Sequence, residues 1–254
     1  MGIEDVLRIA ATDPARCALF ADMDGTLSHI IDDPASVEPV AGAGELLAEL
    51  ASCYGAVAVI SGRPVAFLDR FFAPPIELSG LYGLEHRTGD RVLIDSAALE
   101  WLPTMSECAD DARSKFGIEA VEDKRYSMTV HYRTADAECA ARILEWSAQV
   151  AERTGLDARP AKMSVELHPP TERSKGDVVE DLLLGIRAAV YFGDDVGDLP
   201  AFARLGQAAD SGELEAVATV LVQSDETPAE LSELATDLVD TPLEAVEMLE
   251  RFTF

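Results

Sequence analysis

With 254 residues, 48% of them hydrophobic, the chain is long enough for one large domain, or for a core domain carrying a smaller one, around an interior of its own. Its 47 Asp and Glu against 20 Lys and Arg give a net charge of -27, which repels nucleic acid phosphates and anionic membranes and argues against either as a partner. No apolar run approaches the roughly 20 residues that span a bilayer, and the stretch from Met1 to Asp13 lacks the basic start and apolar run of a secretory signal.

In chain order, the apolar segment Cys17 to Ala21 predicts a first strand. Leu46, Leu47 and Leu50 recur at helical spacing after the Gly42-Ala43-Gly44 turn, and Gly55 closes that segment before a second strand at Val57 to Ile60. A helix of this length is the crossover that parallel strands need. The middle third changes character. Strand-like runs at Ile118 to Glu122 with Ser127 to Tyr132, and at Asp157 to Pro160 with Met163 to Leu167, alternate with helical stretches near Ala97 to Phe116 and Asp136 to Thr154. That pattern predicts an α+β unit over 88–170, inserted into an α/β domain built from 1–87 and 171–254. From Lys175 the α/β alternation resumes with a helix near Asp177 to Leu184, a strand at Ala188 to Phe192, a short strand at Thr219 to Val222, and helices from Pro228 and Pro242. Cys17, Cys53, Cys108 and Cys139 stand far apart without a Cys-x-x-Cys pair, so they are expected to be small buried hydrophobes in a reducing cytoplasm.

Chemistry gathers where the strands end. In Asp22-Met23-Asp24-Gly25-Thr26-Leu27, Asp22 and Asp24 are two apart on extended chain, so both face the carboxyl end of the strand, where open α/β sheets bind ligands. Gly25 and Thr26 supply a turn whose amides can face a phosphate. A calcium loop also begins Asp-x-Asp, but here the glycine arrives two positions early and Asp33 stands where a bidentate Glu is required. Ordinary turn-forming use of Asp and Gly remains open for this segment alone. The second strand ends in Ser61-Gly62-Arg63-Pro64, where the Ser61 hydroxyl and nearby amides can take an anion at a helix start. Lys175, in Ser174-Lys175-Gly176-Asp177, stands at the start of another helix. The third strand runs into Gly193-Asp194-Asp195-Val196-Gly197-Asp198, whose three crowded carboxylates call for a hard divalent cation with oxygen ligands.

These four elements in this order resemble the haloacid dehalogenase (HAD) superfamily of phosphohydrolases. In the middle third, Val121-Glu122-Asp123-Lys124, His131-Tyr132-Arg133 and Lys162-Met163-Ser164-Val165-Glu166 are similar in type and spacing to the sugar-gripping segments of its trehalose-6-phosphate phosphatase family. The resemblance implies a HAD-like Rossmannoid α/β core with a parallel sheet, plus an inserted α+β cap of the C2 type. It also implies a cytoplasmic, magnesium-dependent enzyme that hydrolyses trehalose 6-phosphate through an aspartyl-phosphate. Asp22 is then the nucleophile, Asp24 the acid and base, and Ser61 and Lys175 the stabilisers of phosphoryl charge. Magnesium is held through Asp22, the Asp24 carbonyl and Asp194, with Asp195 and Asp198 in support. Gly25, Thr26, Gly62 and Arg63 in the core, and Glu122, Lys124, Arg133, Lys162 and Glu166 in the insert, bind substrate.

The residues of the insert agree with this on their own terms, since carboxylates and cations on one sheet face suit sugar hydroxyls that both donate and accept. Cross-strand ion pairs on a solvated face are the competing account, and His131 is expected to be an ordinary structural histidine. Two departures from the family pattern stand out. Its Asp-Asp-x-Thr-Asp-Glu segment is Asp194-Asp195-Val196-Gly197-Asp198-Leu199 here, and its Gly-x-His-Gly turn is Gly80-Leu81-Tyr82-Gly83. A phosphatase for another sugar or glycosyl phosphate, a regulatory pseudophosphatase and a phospho-accepting signalling domain are the rival readings. The partner expected is a small sugar phosphate, and the chain is expected to be a monomer with at most weak association with a trehalose-phosphate synthase.

Overall fold

The computed structural model describes residues 2–31, 33–161, 163–171, 173–224 and 227–254. The chain forms two compact units, one from Met1–Leu93 with Arg173–Phe254, the other from Ile94–Glu172. The first part of the larger unit runs α1 (Ile3–Ala10), β1 (Cys17–Ala21), α2 (Ala43–Ala51), β2 (Ala56–Ile60), α3 (Val65–Leu68), β3 (Glu77–Gly80), β4 (Glu85–Thr88) and β5 (Arg91–Ile94). The smaller unit follows with α4 (Ser96–Glu100), α5 (Leu102–Phe116), β6 (Val121–Asp123), β7 (Met128–His131), α6 (Ala137–Thr154), β8 (Asp157–Ala161) and β9 (Ser164–His168). The larger unit then closes with α7 (Lys175–Leu182), β10 (Ala188–Gly193), α8 (Leu199–Ser211), β11 (Ala216–Val222), α9 (Ala229–Leu234), β12 (Asp237–Val239) and α10 (Pro242–Glu250).

The larger sheet has the order β12-β11-β10-β1-β2-β3-β4-β5. Its strands from β12 to β3 pair in parallel, and β4 turns back antiparallel on β3. The central strands are apolar throughout because helices cover both faces. Cys17, Leu19 and Ala21 of β1 face a core shared with α1, α2, α3 and α10, while Ala18 and Phe20 face one shared with α7, α8 and α9. Alternation along the strand therefore divides β1 between two cores, and its tip is left at the carboxyl edge of the sheet with β10 and β2 on either side.

The smaller sheet has the order β6-β7-β9-β8 and is antiparallel throughout. Met128, Val130, Val165 and Leu167 pack one face under α5 and α6, against Met105, Cys108, Ile143, Trp146 and Val150. The alternate residues form a row across the other face, with Glu122 opposite Thr129, Thr129 opposite Glu166 and Glu166 opposite Arg159.

Several local expectations shift. The helical stretch near Ala97 to Phe116 is two helices meeting at Trp101, because Pro103 fits only the first turn of a new helix. Ile118 lies in a 3-10 turn, 69% exposed, rather than in a strand: Gly117 at φ 91° ends α5 and delays β6 to Val121. The helix expected from Asp177 begins two residues earlier, on a Ser174 cap. β3, β4 and β12 had no sequence expectation, and β5, which a boundary at 88 gives to the insert, hydrogen-bonds within the larger sheet. All four cysteines are free thiols, but Cys53 is exposed, not buried. Among the described residues, no helix is long and apolar enough to cross a membrane.

Candidate active site

The tip of β1 is fixed before any side chain is considered. The Asp22 amide donates to the Phe192 carbonyl at 2.9 Å, tying β1 to the end of β10. Beyond it, the Leu27 amide and the Ser28 amide and hydroxyl all donate to the Met23 carbonyl, which winds the chain into a tight loop. Gly25 sits at φ 82°, and a Cβ there would run into the Asp194 carboxylate, so this close approach requires glycine. The Gly25 amide, expected to face a phosphate, donates to the Ser28 carbonyl at 2.9 Å instead, and the buried Thr26 hydroxyl points to Asp194 Oδ1 at 3.4 Å. Both residues thus shape the loop around Asp194.

Asp22 is buried beside Lys175, whose Nζ lies 2.9 Å from Asp22 Oδ1 and 2.7 Å from Asp198 Oδ1. Lys175 reaches this point because Ser174 caps α7 and aims its first residue inward, leaving the lysine 2% exposed. Asp198 has both oxygens engaged. Oδ1 accepts from Lys175 and from the Tyr191 hydroxyl at 2.8 Å, and Oδ2 accepts from the amides of Asp194 and Asp195. It therefore braces the lysine and the acidic loop from beneath. Asp195 is exposed, and its Oδ1 accepts from the Gly197 amide, capping the turn that leads into α8.

Asp24 does not join this cluster. Its carboxylate is held by Arg63, Nε to Oδ2 at 2.8 Å and Nη2 to Oδ1 at 2.6 Å. Arg63, expected to meet substrate, is itself fixed by the Pro34 carbonyl at 2.8 Å and by the Phe67 ring 4.5 Å below its guanidinium. Ser61 is buried at the end of β2, and its hydroxyl accepts from the Arg63 amide at 3.2 Å.

Asp22, Asp194 and Asp198 offer carboxylate oxygens that all lie within 4.8 Å of one another, and among the described residues Asp22 Oδ1 accepts no hydrogen bond beyond its ion pair with Lys175. Burial raises the pKa values of Asp22 and Asp194 well above the ordinary carboxylate value, neighbouring aspartates push the same way, and Lys175 opposes them. For Lys175 the balance reverses: burial works against its charge, but Asp198 and Asp22 outweigh it and hold the ammonium protonated. Ionising all three buried carboxyl groups against one buried ammonium would leave negative charge uncompensated, and the all-oxygen donor set fits a hard divalent cation such as magnesium.

In the smaller unit Glu166 is buried on its polar sheet face, accepting from the Ser127 hydroxyl at 2.8 Å and from Lys124 Nζ at 3.4 Å. His131 Nε2 lies 3.1 Å from Glu122 Oε2 across the β6–β7 pair. The expected Glu122, Lys124 and Glu166 thus share one sheet face. Arg133 does not follow from strand alternation, since β7 ends at His131 and Arg133 is exposed in the next turn. Lys162 lies outside the described residues.

One residue with no assigned role also reaches the larger unit's site. The Tyr82 ring abuts both Gly62 and Gly197. Its only sequence signal was the departure from the Gly-x-His-Gly turn.

A family model described as trehalose-phosphatase matches residues 20–236. The trehalose-phosphate phosphatase of Mycobacterium ulcerans is 35% identical over 204 residues, covering 75% of this chain and 52% of its own length. That of Mycobacterium avium is 31% identical over 248 residues, covering 92% of this chain and 61% of its own. The chain thus spans about half to three fifths of the length of these relatives. Among solved structures, the C-terminal domain of C. albicans trehalose-6-phosphate phosphatase superposes with a TM-score of 0.78 at 22% identity, covering 99% of this chain and 96% of that one, which is a likeness of fold.

Proposed function

We propose that this chain, which belongs to the trehalose-phosphatase family of the haloacid dehalogenase superfamily, hydrolyses trehalose 6-phosphate to trehalose and phosphate through an aspartyl-phosphate on Asp22. The observation that carries the reading is the buried Asp22 at the tip of β1, 2.9 Å from the Lys175 ammonium and beside Asp194 and Asp198.

Phosphate monoesters hydrolyse so slowly unaided that no single group can account for turnover. Asp22 attacks phosphorus while the bond from phosphorus to the sugar oxygen breaks, which divides one hard displacement into two. Asp24 protonates the departing sugar oxygen. It then takes a proton from the water that attacks the aspartyl-phosphate, releasing phosphate and restoring Asp22. Lys175 stabilises the charge on the non-bridging oxygens, with Ser61 and the turn through Gly62 on the other side of β1. Magnesium, held by Asp22 and Asp194 with Asp198 behind them, would neutralise phosphoryl charge as a Lewis acid.

Glu122, Lys124 and Glu166, on a face with buried acceptors and an ammonium, suit a substrate rich in hydroxyls. The smaller unit then acts as the specificity cap, with Arg133 and Lys162 as further substrate contacts. The free cysteines accord with a cytoplasmic setting. Phosphate release measured across trehalose 6-phosphate, sucrose 6-phosphate and glucose 6-phosphate with magnesium tests the assignment. Strong preference for the first supports it, and preference for another ester moves the substrate while keeping the chemistry. Normal turnover by Asp22→Asn would end the mechanism.

A further inference from the structure

The two loops that flank Asp22 come from strands on opposite sides of β1, the Ser61–Arg63 turn from β2 and the acidic loop from β10. Two interstrand spacings, about 10 Å, separate those strands at the edge of the sheet. A phosphoryl group seated on Asp22 must be gripped from both sides, so the gap between the two loops matters to binding.

Tyr82 occupies that gap. A Cβ on Gly62 would lie 2.8 Å from the Tyr82 Cζ and hydroxyl, and one on Gly197 would lie 3.2 Å from its Cε1, so both backbones pack directly against the ring. Gly197 also borders the lysine, its Cβ position being 3.8 Å from Lys175 Cε. The turn that carries the ring is tied to the same loop, since the Tyr82 amide donates to the Ser61 carbonyl and the Leu81 amide to the Arg63 carbonyl, each at 3.1 Å. Leu81 and Tyr82 are adjacent non-glycine residues at φ 52° and 56°, a left-handed conformation that L side chains rarely adopt and that persists only where the surroundings impose it. Leu81, fully buried, anchors the strained turn so that the next side chain projects between the loops.

We propose that Tyr82 is a positioning residue of this site: its ring, seated between Gly62 and Gly197, sets the gap between the Ser61–Arg63 turn and the acidic loop so that both engage one phosphoryl group. The inference rests on the phosphatase reading and concerns the same site. The ring acts by occupying space, so its aromatic width is what the site requires.

Calorimetric titration with orthophosphate in the presence of magnesium tests this on wild type, Tyr82→Phe and Tyr82→Asn. Asparagine is among the residues most at ease at positive φ, so it removes the ring while keeping the turn. Tyr82→Phe is expected to bind orthophosphate within about threefold of wild type, and Tyr82→Asn about 10–10²-fold more weakly, as for anion-binding groups displaced by an ångström or so. The unfolding midpoint without ligands should be unchanged in Tyr82→Asn; should that variant unfold, Tyr82→Leu, too short to meet both glycines, replaces it. Orthophosphate affinity equal to wild type in the ring-deleted variant, an equal loss in Tyr82→Phe, or no binding to wild type would each overturn the inference. Wild type that binds orthophosphate but releases none from any sugar phosphate would instead overturn the activity while leaving the Tyr82 comparison intact.

Discussion

Arg63 clasps Asp24 with two donors, Nε to Oδ2 at 2.8 Å and Nη2 to Oδ1 at 2.6 Å, and the fork is held from behind by the Pro34 carbonyl and the Phe67 ring. In the proposed mechanism Asp24 moves protons in both half-reactions and so needs a fixed direction, and a planar fork supplies one where an ammonium does not. Arg63→Lys keeps the charge but loses the second donor and the stacking. Its kcat is expected to fall about 10–10²-fold with KM little changed. Steady-state kinetics check this, and the double variant with Asp24→Asn should lose no more than Asp24→Asn alone, because the two act as a unit. Equal kcat in Arg63→Lys and wild type would leave the fork without a role in turnover.

Lys175 faces two buried carboxylates, Asp22 at 2.9 Å and Asp198 at 2.7 Å. Removing it strands both. Lys175→Met matches the stem but not the charge, and it is expected to destabilise the fold by about 3–5 kcal/mol, the usual cost of breaking a buried ion pair from one side. Urea unfolding of the metal-free protein measures this, and turnover should be lost in the same variant. A loss below about 1 kcal/mol would mean that the carboxylates are relieved by solvent or by protonation.

How far the sequence carried can be traced residue by residue. Asp22, Lys175 and Asp194 were legible because each sits at an element boundary that hydrophobic periodicity marks, and strand and helix ends converge on one edge of a parallel sheet. Asp198 was legible as an acid but not in its partners. Its donors, Lys175 of α7, Tyr191 of β10 and the amides of Asp194 and Asp195, meet only once the strand and helix are folded together. Arg63 read as a substrate contact because nothing local pairs it with Asp24, 39 residues earlier. β3 and β4 escaped notice since Glu77–Gly80 and Glu85–Thr88 are short, polar in part, and stabilised by pairing at the end of the sheet rather than by their own pattern. Tyr82 lies in a turn whose left-handed backbone no propensity would assign to Leu-Tyr.

On the smaller sheet, Glu166 is buried and bound to Ser127 at 2.8 Å and Lys124 at 3.4 Å, which holds its carboxylate ready to accept from a hydroxyl. Glu166→Gln removes charge but little volume. Losing one charge-assisted hydrogen bond, worth about 1.5–3 kcal/mol, should raise KM for trehalose 6-phosphate about 10–10²-fold. Turnover of p-nitrophenyl phosphate, which has no sugar to hold, should stay near wild type. Parallel losses on both substrates would assign Glu166 to the fold of its unit rather than to recognition.

Asp194 carries the pH dependence that separates a metal site from a merely acidic loop. Burial, then the charges of Asp22, Asp198 and Asp195, raise its folded-state pKa well above the unfolded 3.8, against the pull of Lys175. A raised folded pKa means that the carboxyl group costs the fold nothing below the unfolded value, and that the cost grows as pH rises from there through the folded pKa. Metal-free Asp194→Asn should therefore be more stable than wild type at neutral pH, by a few degrees in unfolding midpoint for a chain of this size, and the advantage should shrink to nothing as pH falls below about 4. Magnesium reverses the order: wild type should gain about 2.7 kcal/mol at a hundredfold excess over Kd, and Asp194→Asn little. Thermal scans with and without magnesium at several pH values read all of this. An Asp194→Asn variant that is less stable than metal-free wild type at neutral pH, and equally stabilised by magnesium, would show that Asp194 neither bears the repulsion nor holds the ion.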